Sequence, residues 1–278
     1  MTPSAPFPHF WADLKSPDFA RMNLGRTIAV LPVAAIEQHG PHLPLSVDTD
    51  LVNGVIAHCL PHLHGAPVLF LPTQSVGLSP EHARFGGTLT LKAETVIHLW
   101  TELAESVARS GIQKLVLLNS HGGQVGLLDV VARDLRARLD MLVYSVNWFN
   151  LPLVNDRGES VADRFSAQEH RFGIHAGEIE TSMMLALKPA QVDMRQAQDF
   201  HSSSQDRAQK FSILGDGRSA KLGWQMQDYN AQGAVGNAAA ATAEKGHALL
   251  DAAGRSLARM LHEMDQLPAD TLKGQTAF

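Results

Sequence analysis

The sequence predicts an α/β fold, a three-layer α/β/α sandwich with a mainly parallel sheet. Two observations carry this. Short, nearly continuous apolar runs recur at 27–33, 67–71, 114–118 and 141–146, as expected of strands buried on both faces. Apolar residues at helical spacing separate several of these runs. Strand–helix alternation of this kind builds a parallel sheet with helices on both faces.

The elements follow in order. Residues 27–33 (Thr-Ile-Ala-Val-Leu-Pro-Val) read as the first strand. Asp50 is expected to cap a helix running through Val52, Val55, Ile56 and Cys59. The run at 67–71 is a second strand, followed by a polar, Gly-rich loop at 75–88. Val96, Leu99, Trp100, Leu103 and Val107 share a helical face, and Gly111 marks its end. Residues 114–118 (Lys-Leu-Val-Leu-Leu) form the third strand. Val125, Leu128, Val131, Leu135 and Leu139 mark the next helix, and 141–146 the fourth strand.

Past Val146 the pattern loosens. Residues 147–172 and 200–235 read as long irregular stretches, which in a compact protein shape binding sites. A helix over 179–187 stops before Pro189. The last helix is expected to start near Asn237, with Leu250, Leu257, Leu261 and Met264 on one stripe. No linker separates two cores, so residues 1–278 read as one domain.

Composition narrows the function. The chain has 278 residues, 45% hydrophobic and 18% charged, enough for a full core. Its formal net charge is −5, and no Lys/Arg block offers a footprint for nucleic acid or an anionic membrane. No apolar stretch approaches the ~20 residues that span a bilayer. The N-terminus lacks the pattern of a signal peptide. A single cysteine, Cys59, excludes an internal disulfide and reads as a buried, inert thiol. A cytoplasmic protein fits these features.

Three polar clusters carry the chemistry. Glu37, His39 and Asp48, with His42 nearby, follow the first strand. Residues two apart in extended backbone point to one side, so Glu37 and His39 converge. Asn119-Ser120-His121-Gly122-Gly123 follows the third strand, its glycines allowing a ligand close to the backbone. His175-Ala176-Gly177-Glu178-Ile179-Glu180 opens the helix at 179–187. Glu178 and Glu180 point about 200° apart on a helix, so one of them at most faces the site. In open α/β sheets, ligands collect beyond the carboxyl ends of the strands. Carboxylates and imidazoles gathered there are the ligand mix of a Zn, Mn or Fe(II) centre.

These motifs resemble the creatininase (creatinine amidohydrolase) family. The resemblance runs through Leu31-Pro32-Val33-x-x-x-Glu37-Gln38-His39-Gly40-x-His42 with Asp48, then Glu81-His82-x-x-Phe85-x-Gly87-Thr88. It continues through Asn119-x-His121-Gly122-Gly123 and His175-Ala176-Gly177-x-x-Glu180-Thr181-Ser182. It implies a dinuclear centre that hydrolyses carbon–nitrogen bonds, and a homo-oligomer, often a hexamer. Carried over by position, Glu37, His39, Asp48 and His121 match metal ligands, with Asp48 as the bridging carboxylate. His175 matches a proton-shuttling histidine.

Two positions depart from the creatinine-hydrolysing pattern. Those members carry a metal-binding glutamate where this chain has Gly123, and Glu180 is the expected replacement. They also carry a tryptophan where this chain reads Arg171-Phe172-Gly173-Ile174. Trp148 matches another aromatic of their pocket. The Asn-x-His-Gly-Gly version occurs in branches that include a formamide-hydrolysing deformylase and a mycofactocin-maturation peptidase. Creatinine is therefore not the expected substrate.

Charge counting supports two divalent ions per chain. Glu37, Asp48 and Glu180 bring three negative charges against four positive. The surplus favours a metal-bound hydroxide as the nucleophile on a small cyclic or linear amide. His175 is suited to pass a proton to the leaving nitrogen, with Glu178 as a second proton-transfer group. His82, Gly122, Gly123 and Trp148 are expected to contact substrate. Two alternatives stand: ring-opening hydrolysis of a carbohydrate-derived ketone or lactone on the same centre, and non-catalytic binding of a small molecule.

Overall fold

Ile28–Val33 is buried at every position and forms strand β1, the centre of the fold. The computed structural model describes residues 7–274 and Thr276. In chain order the elements are α1 (Ser16–Phe19), β1, α2 (Val47–Cys59), β2 (Val68–Phe70), α3 (Ala93–Arg109), β3 (Lys114–Asn119), α4 (Val125–Leu139) and β4 (Leu142–Asn147). Then come α5 (Ala167–Phe172), α6 (Glu178–Leu187), β5 (Asp199–Phe200), α7 (Ser203–Lys210), α8 (Met226–Tyr229), β6 (Gly236–Asn237) and α9 (Ala243–Gln266).

The main sheet has the order β2-β1-β3-β4, with all pairings parallel. Alternation along β1 and β3 divides the core in two. Ile28, Val30, Val116 and Leu118 point to the layer that includes α2, α6 and α9. Ala29, Leu31, Val33, Leu115 and Leu117 point to α3 and α4 on the opposite face. Each such Val, Leu or Ile, fully buried, stabilises the fold by about 1.5–3 kcal/mol. The three-layer α/β arrangement expected from the sequence is thus present. Cys59 is buried among the first set, and burial pushes its thiol up to about 12.

This strand order also places the site. β1 and β3 are neighbours, but the chain leaves β1 toward β2 on one side and β3 toward β4 on the other. Such a switch point opens a crevice beyond the strands' carboxyl ends. Glu37 follows β1 and His121 follows β3, so both emerge at this crevice.

Three boundaries differ from expectation. Helix α2 begins at Val47, so Asp48 lies in its first turn rather than in a loop. Asp50 is not the cap; it accepts a hydrogen bond from the Ser46 hydroxyl at 2.7 Å. The final helix begins at Ala243, where the Thr242 hydroxyl accepts from the Lys245 N–H. Residues 236–237 instead pair antiparallel with Asp199 and Phe200, ahead of that cap. The stretch 200–235 also contains two short helices, α7 and α8. No helix among the described residues is long and apolar enough to cross a membrane.

Candidate dinuclear metal centre and active site

The three clusters converge. Asp48 lies between two histidines: its Oδ1 is 3.8 Å from His39 Nε2, and its Oδ2 is 3.3 Å from His121 Nδ1. Glu37 Oε1 is 3.2 Å from the same His121 nitrogen. Glu180 Oε2 is 3.9 Å from His39 Nε2. Glu37, His39, Asp48 and His121 are all buried, and Glu180 is partly so.

Local structure fixes the ring orientations. His39 Nδ1 donates to the Glu37 carbonyl at 3.1 Å, leaving Nε2 as a lone pair aimed at Asp48 and Glu180. His121 Nε2 donates to the Leu78 carbonyl at 2.9 Å, which leaves Nδ1 facing Glu37 and Asp48. Metal-ligating histidines are held this way, with the far nitrogen donating to a carbonyl or carboxylate. Asn119 shapes the turn carrying His121: its side chain accepts from the His121 N–H and donates to the His121 carbonyl. Gly40, at φ +69°, turns the chain sharply away after His39.

The site is electrostatically unbalanced without a cation. Glu37 Oε2, His39 Nε2 and Glu81 Oε1 are buried and have no hydrogen-bond partner among the described residues. Burying a carboxylate unpaired costs several kcal/mol. Burial pushes Asp48 up to about 6, aided by Glu37, and Glu180 up to about 8, aided by Asp48. Burial opposes a charge on His121, but Glu37, Asp48 and Glu81 overcome this and raise its pKa well above the ordinary imidazole range. Burial holds His39 well below that range, and His175 beside it adds to the effect. These residues fit divalent metal: oxygen and nitrogen donors, oriented ring nitrogens and surplus negative charge.

His175 stacks between His39 and His82, with ring centroids 4.2 Å from each. Its Nε2 donates to the Gln38 carbonyl at 2.7 Å, so Nδ1 is free, 3.8 Å from Glu37 Oε1. Burial lowers its pKa to about 4, outweighing the pull of Asp48. His82 Nδ1 accepts from the Gln38 amide at 2.8 Å, which turns its Nε2–H toward Glu37 Oε1 at 3.4 Å. His82 is thereby a neighbour of the carboxylate as well as a wall of the pocket. His42 lies aside, bonded to Thr181 Oγ1 and stacked on Phe200.

Other expected residues fall elsewhere. Glu178 does not join the cluster: it turns the opposite way from Glu180 and pairs with Lys245. Trp148 is buried and donates to Ser120 Oγ, lining a separate apolar cavity of about 320 Å³ with Phe149, Phe165 and Leu249. Gly122 and Gly123 do line the main cleft, about 570 Å³ in volume, together with Glu81. Its outer wall comes from the stretch expected to be irregular: Arg207, Lys221, Trp224 and Tyr229. Trp224 meets His82 edge-on at 6.2 Å.

Sequence reasoning missed three contributors. Gln38 links His82 and the Gly233 carbonyl, and its own carbonyl holds His175. Glu169 accepts the backbone N–H groups of Glu178 and Asn237, tying the start of α6 to β6. Glu81 stands 3.4 Å from His121 Nε2. Gln38 and Glu81 lay within the quoted motifs, beside expected site residues. Glu169 had no signal, because it acts on backbone groups brought near only by folding.

Fold and donors define an α/β protein with a buried carboxylate–imidazole cluster at its sheet's switch point. The chain belongs to the creatininase (creatinine amidohydrolase) family, whose model matches residues 12–261. It is 34% identical over 170 residues to a mycofactocin precursor peptide peptidase of Mycobacterium tuberculosis, a match covering 59% of each protein. The chain thus spans under two thirds of that relative's length. It is 29% identical over 194 residues to a creatinine amidohydrolase of Pseudomonas putida, covering 65% of this chain and 72% of the relative. A solved creatininase variant, described as Zn-Zn type, superimposes with a TM-score of 0.72 at 25% identity. That match covers 95% of this chain and all of the other.

Proposed function

We propose that this protein is a metal-dependent amidohydrolase that cleaves a C–N bond in a small cyclic or linear amide. The observation carrying this reading is the paired set of oriented ring nitrogens, His39 Nε2 and His121 Nδ1, on opposite oxygens of Asp48. Glu37, Asp48 and His121 would hold one divalent ion, and His39, Asp48 and Glu180 another. Such a pair, when bound, makes a nucleophile from water near neutral pH and polarises a carbonyl.

The chain's own residues supply the rest. His175, fixed through Nε2, offers Nδ1 to accept a proton and return it to the leaving nitrogen. Its lowered pKa keeps it neutral at ordinary pH. His82 steadies Glu37. The Gly122–Gly123 backbone gives a substrate room beside His121, and Trp224 supplies an aromatic wall. Glu178 has no part in proton transfer here, since Lys245 holds its carboxylate. Trp148 backs the Ser120 turn rather than meeting substrate. The relatives named for peptide and creatinine cleavage both act on C–N bonds, which supports the bond type and leaves the substrate to this chain's own cleft.

The test is a panel of cyclic amides, formamides, short peptides and sugar lactones, with protein stripped of metal and then reloaded with Zn, Mn or Fe. Metal-dependent amine release from an amide supports the reading. Turnover confined to lactones would replace it with ring-opening chemistry, and binding without turnover would make the protein a receptor.

A further inference from the structure

Glu81 lies on the turn Pro80–His82 and lines the cleft. The residue is buried, and Oε1 has no hydrogen-bond partner among the described residues. Its neighbour His121 Nε2, at 3.4 Å, carries one hydrogen, and the Leu78 carbonyl takes it at 2.9 Å. The Leu78 carbonyl is thus the ring's shorter anchor, and the Glu81 carboxylate adds negative charge beside it. Glu81, Glu37 and His121 present donor atoms that all lie within 4.8 Å of one another. Gly123 is the complement of this arrangement. A Cβ built there would overlap Glu81 Oε1 and come within 2.5 Å of His121 Nε2, so a side chain at 123 competes with the Glu81 carboxylate for volume and crowds the His121 ring.

We propose that Glu81 is a metal ligand, sharing an ion with Glu37 and His121, and that Gly123 is glycine because the Glu81 carboxylate fills its side-chain space. This rests on the dinuclear reading above and revises its ligand set. Glu180 faces His39 and accepts the Ala176 N–H at 2.5 Å, so it serves the other ion. Glu81 instead supplies the carboxylate that position 123 lacks.

The test counts metal in purified protein by elemental analysis after loading with Mn or Zn and gel filtration. Wild type should hold about two ions per chain and Glu81→Ala about one. Gly123→Ala keeps Glu81 but crowds its carboxylate and the His121 ring, and should also lose one ion. Glu81→Ala combined with Gly123→Glu returns a carboxylate to the same volume and should recover the lost ion, which a merely structural role would not do. If Glu81→Ala does not fold, Glu81→Gln carries the same expectation. Full metal content in the position-81 and Gly123→Ala variants would overturn the assignment, as would a double variant no better than Glu81→Ala. Wild type holding no metal would instead overturn the dinuclear reading itself.

Discussion

Removing metal from this protein should make its stability fall as pH rises. Stripping with a chelator leaves Glu37, Asp48, Glu81 and Glu180 crowded around two histidines. Glu180 is raised from 4.5 to about 8. Between those values the folded chain holds a proton that the unfolded chain has released, so stability drops with pH by about 1.4 kcal/mol per unit. His121, also raised, acts in the same direction, losing its contribution as pH climbs through its folded pKa. His39 and His175 are lowered and act in the opposite sense, but only below their ordinary value near 6.5. Asp48, raised to about 6, has released its proton by then. From pH 6.5 to 8 the sign is therefore set by Glu180 and His121. Glu180 alone accounts for a loss of about 2 kcal/mol, or about 4 °C in Tm. Thermal unfolding of chelated and reloaded protein at pH 6.5, 7.25 and 8 measures this. Chelated protein whose Tm is flat or rises across that window refutes the reasoning, whatever the reloaded protein does.

Three further outcomes follow from the same geometry. Glu180→Gln should weaken the ion beside His39 by about 10-fold or more, read as metal content at limiting metal; unchanged content returns Glu180 to a helix-start role. Glu178→Gln should leave metal content intact but lower stability by about 2 kcal/mol, because it breaks the pair with Lys245; chemical denaturation reads this, and lost metal would place Glu178 in the site. Trp224→Ala should raise KM about 10-fold with a smaller effect on kcat, measured on whichever amide the panel identifies; an unchanged KM removes Trp224 from the substrate wall.

Much of this was legible because strand ends are marked in sequence. A buried run such as Ile28–Val33 ends where polar residues begin, and the parallel sheet then dictates that Glu37 and His121 meet. Asp48 was visible as a residue but not as part of a helix, because Ser46 rather than Asp50 opens α2. The angular argument at α6 held: Glu180 and Glu178 do point apart, toward His39 and Lys245. Trp148 and Trp224 show the limit. Pattern places an aromatic on a loop, but tertiary packing decides which one reaches the cleft. Glu81 was hidden for a similar reason. Its relation to Gly123 is a shared volume between distant segments, which no spacing along the chain records.

Metal content of wild type beside Asp48→Ala is the most direct test of a bridged two-ion centre. Asp48 is the carboxylate whose two oxygens face His39 and His121. Wild type should hold about two divalent ions per chain, and Asp48→Ala should lose most of both while staying folded. Equal metal content in the two proteins would contradict the bridging role, and with it the dinuclear account.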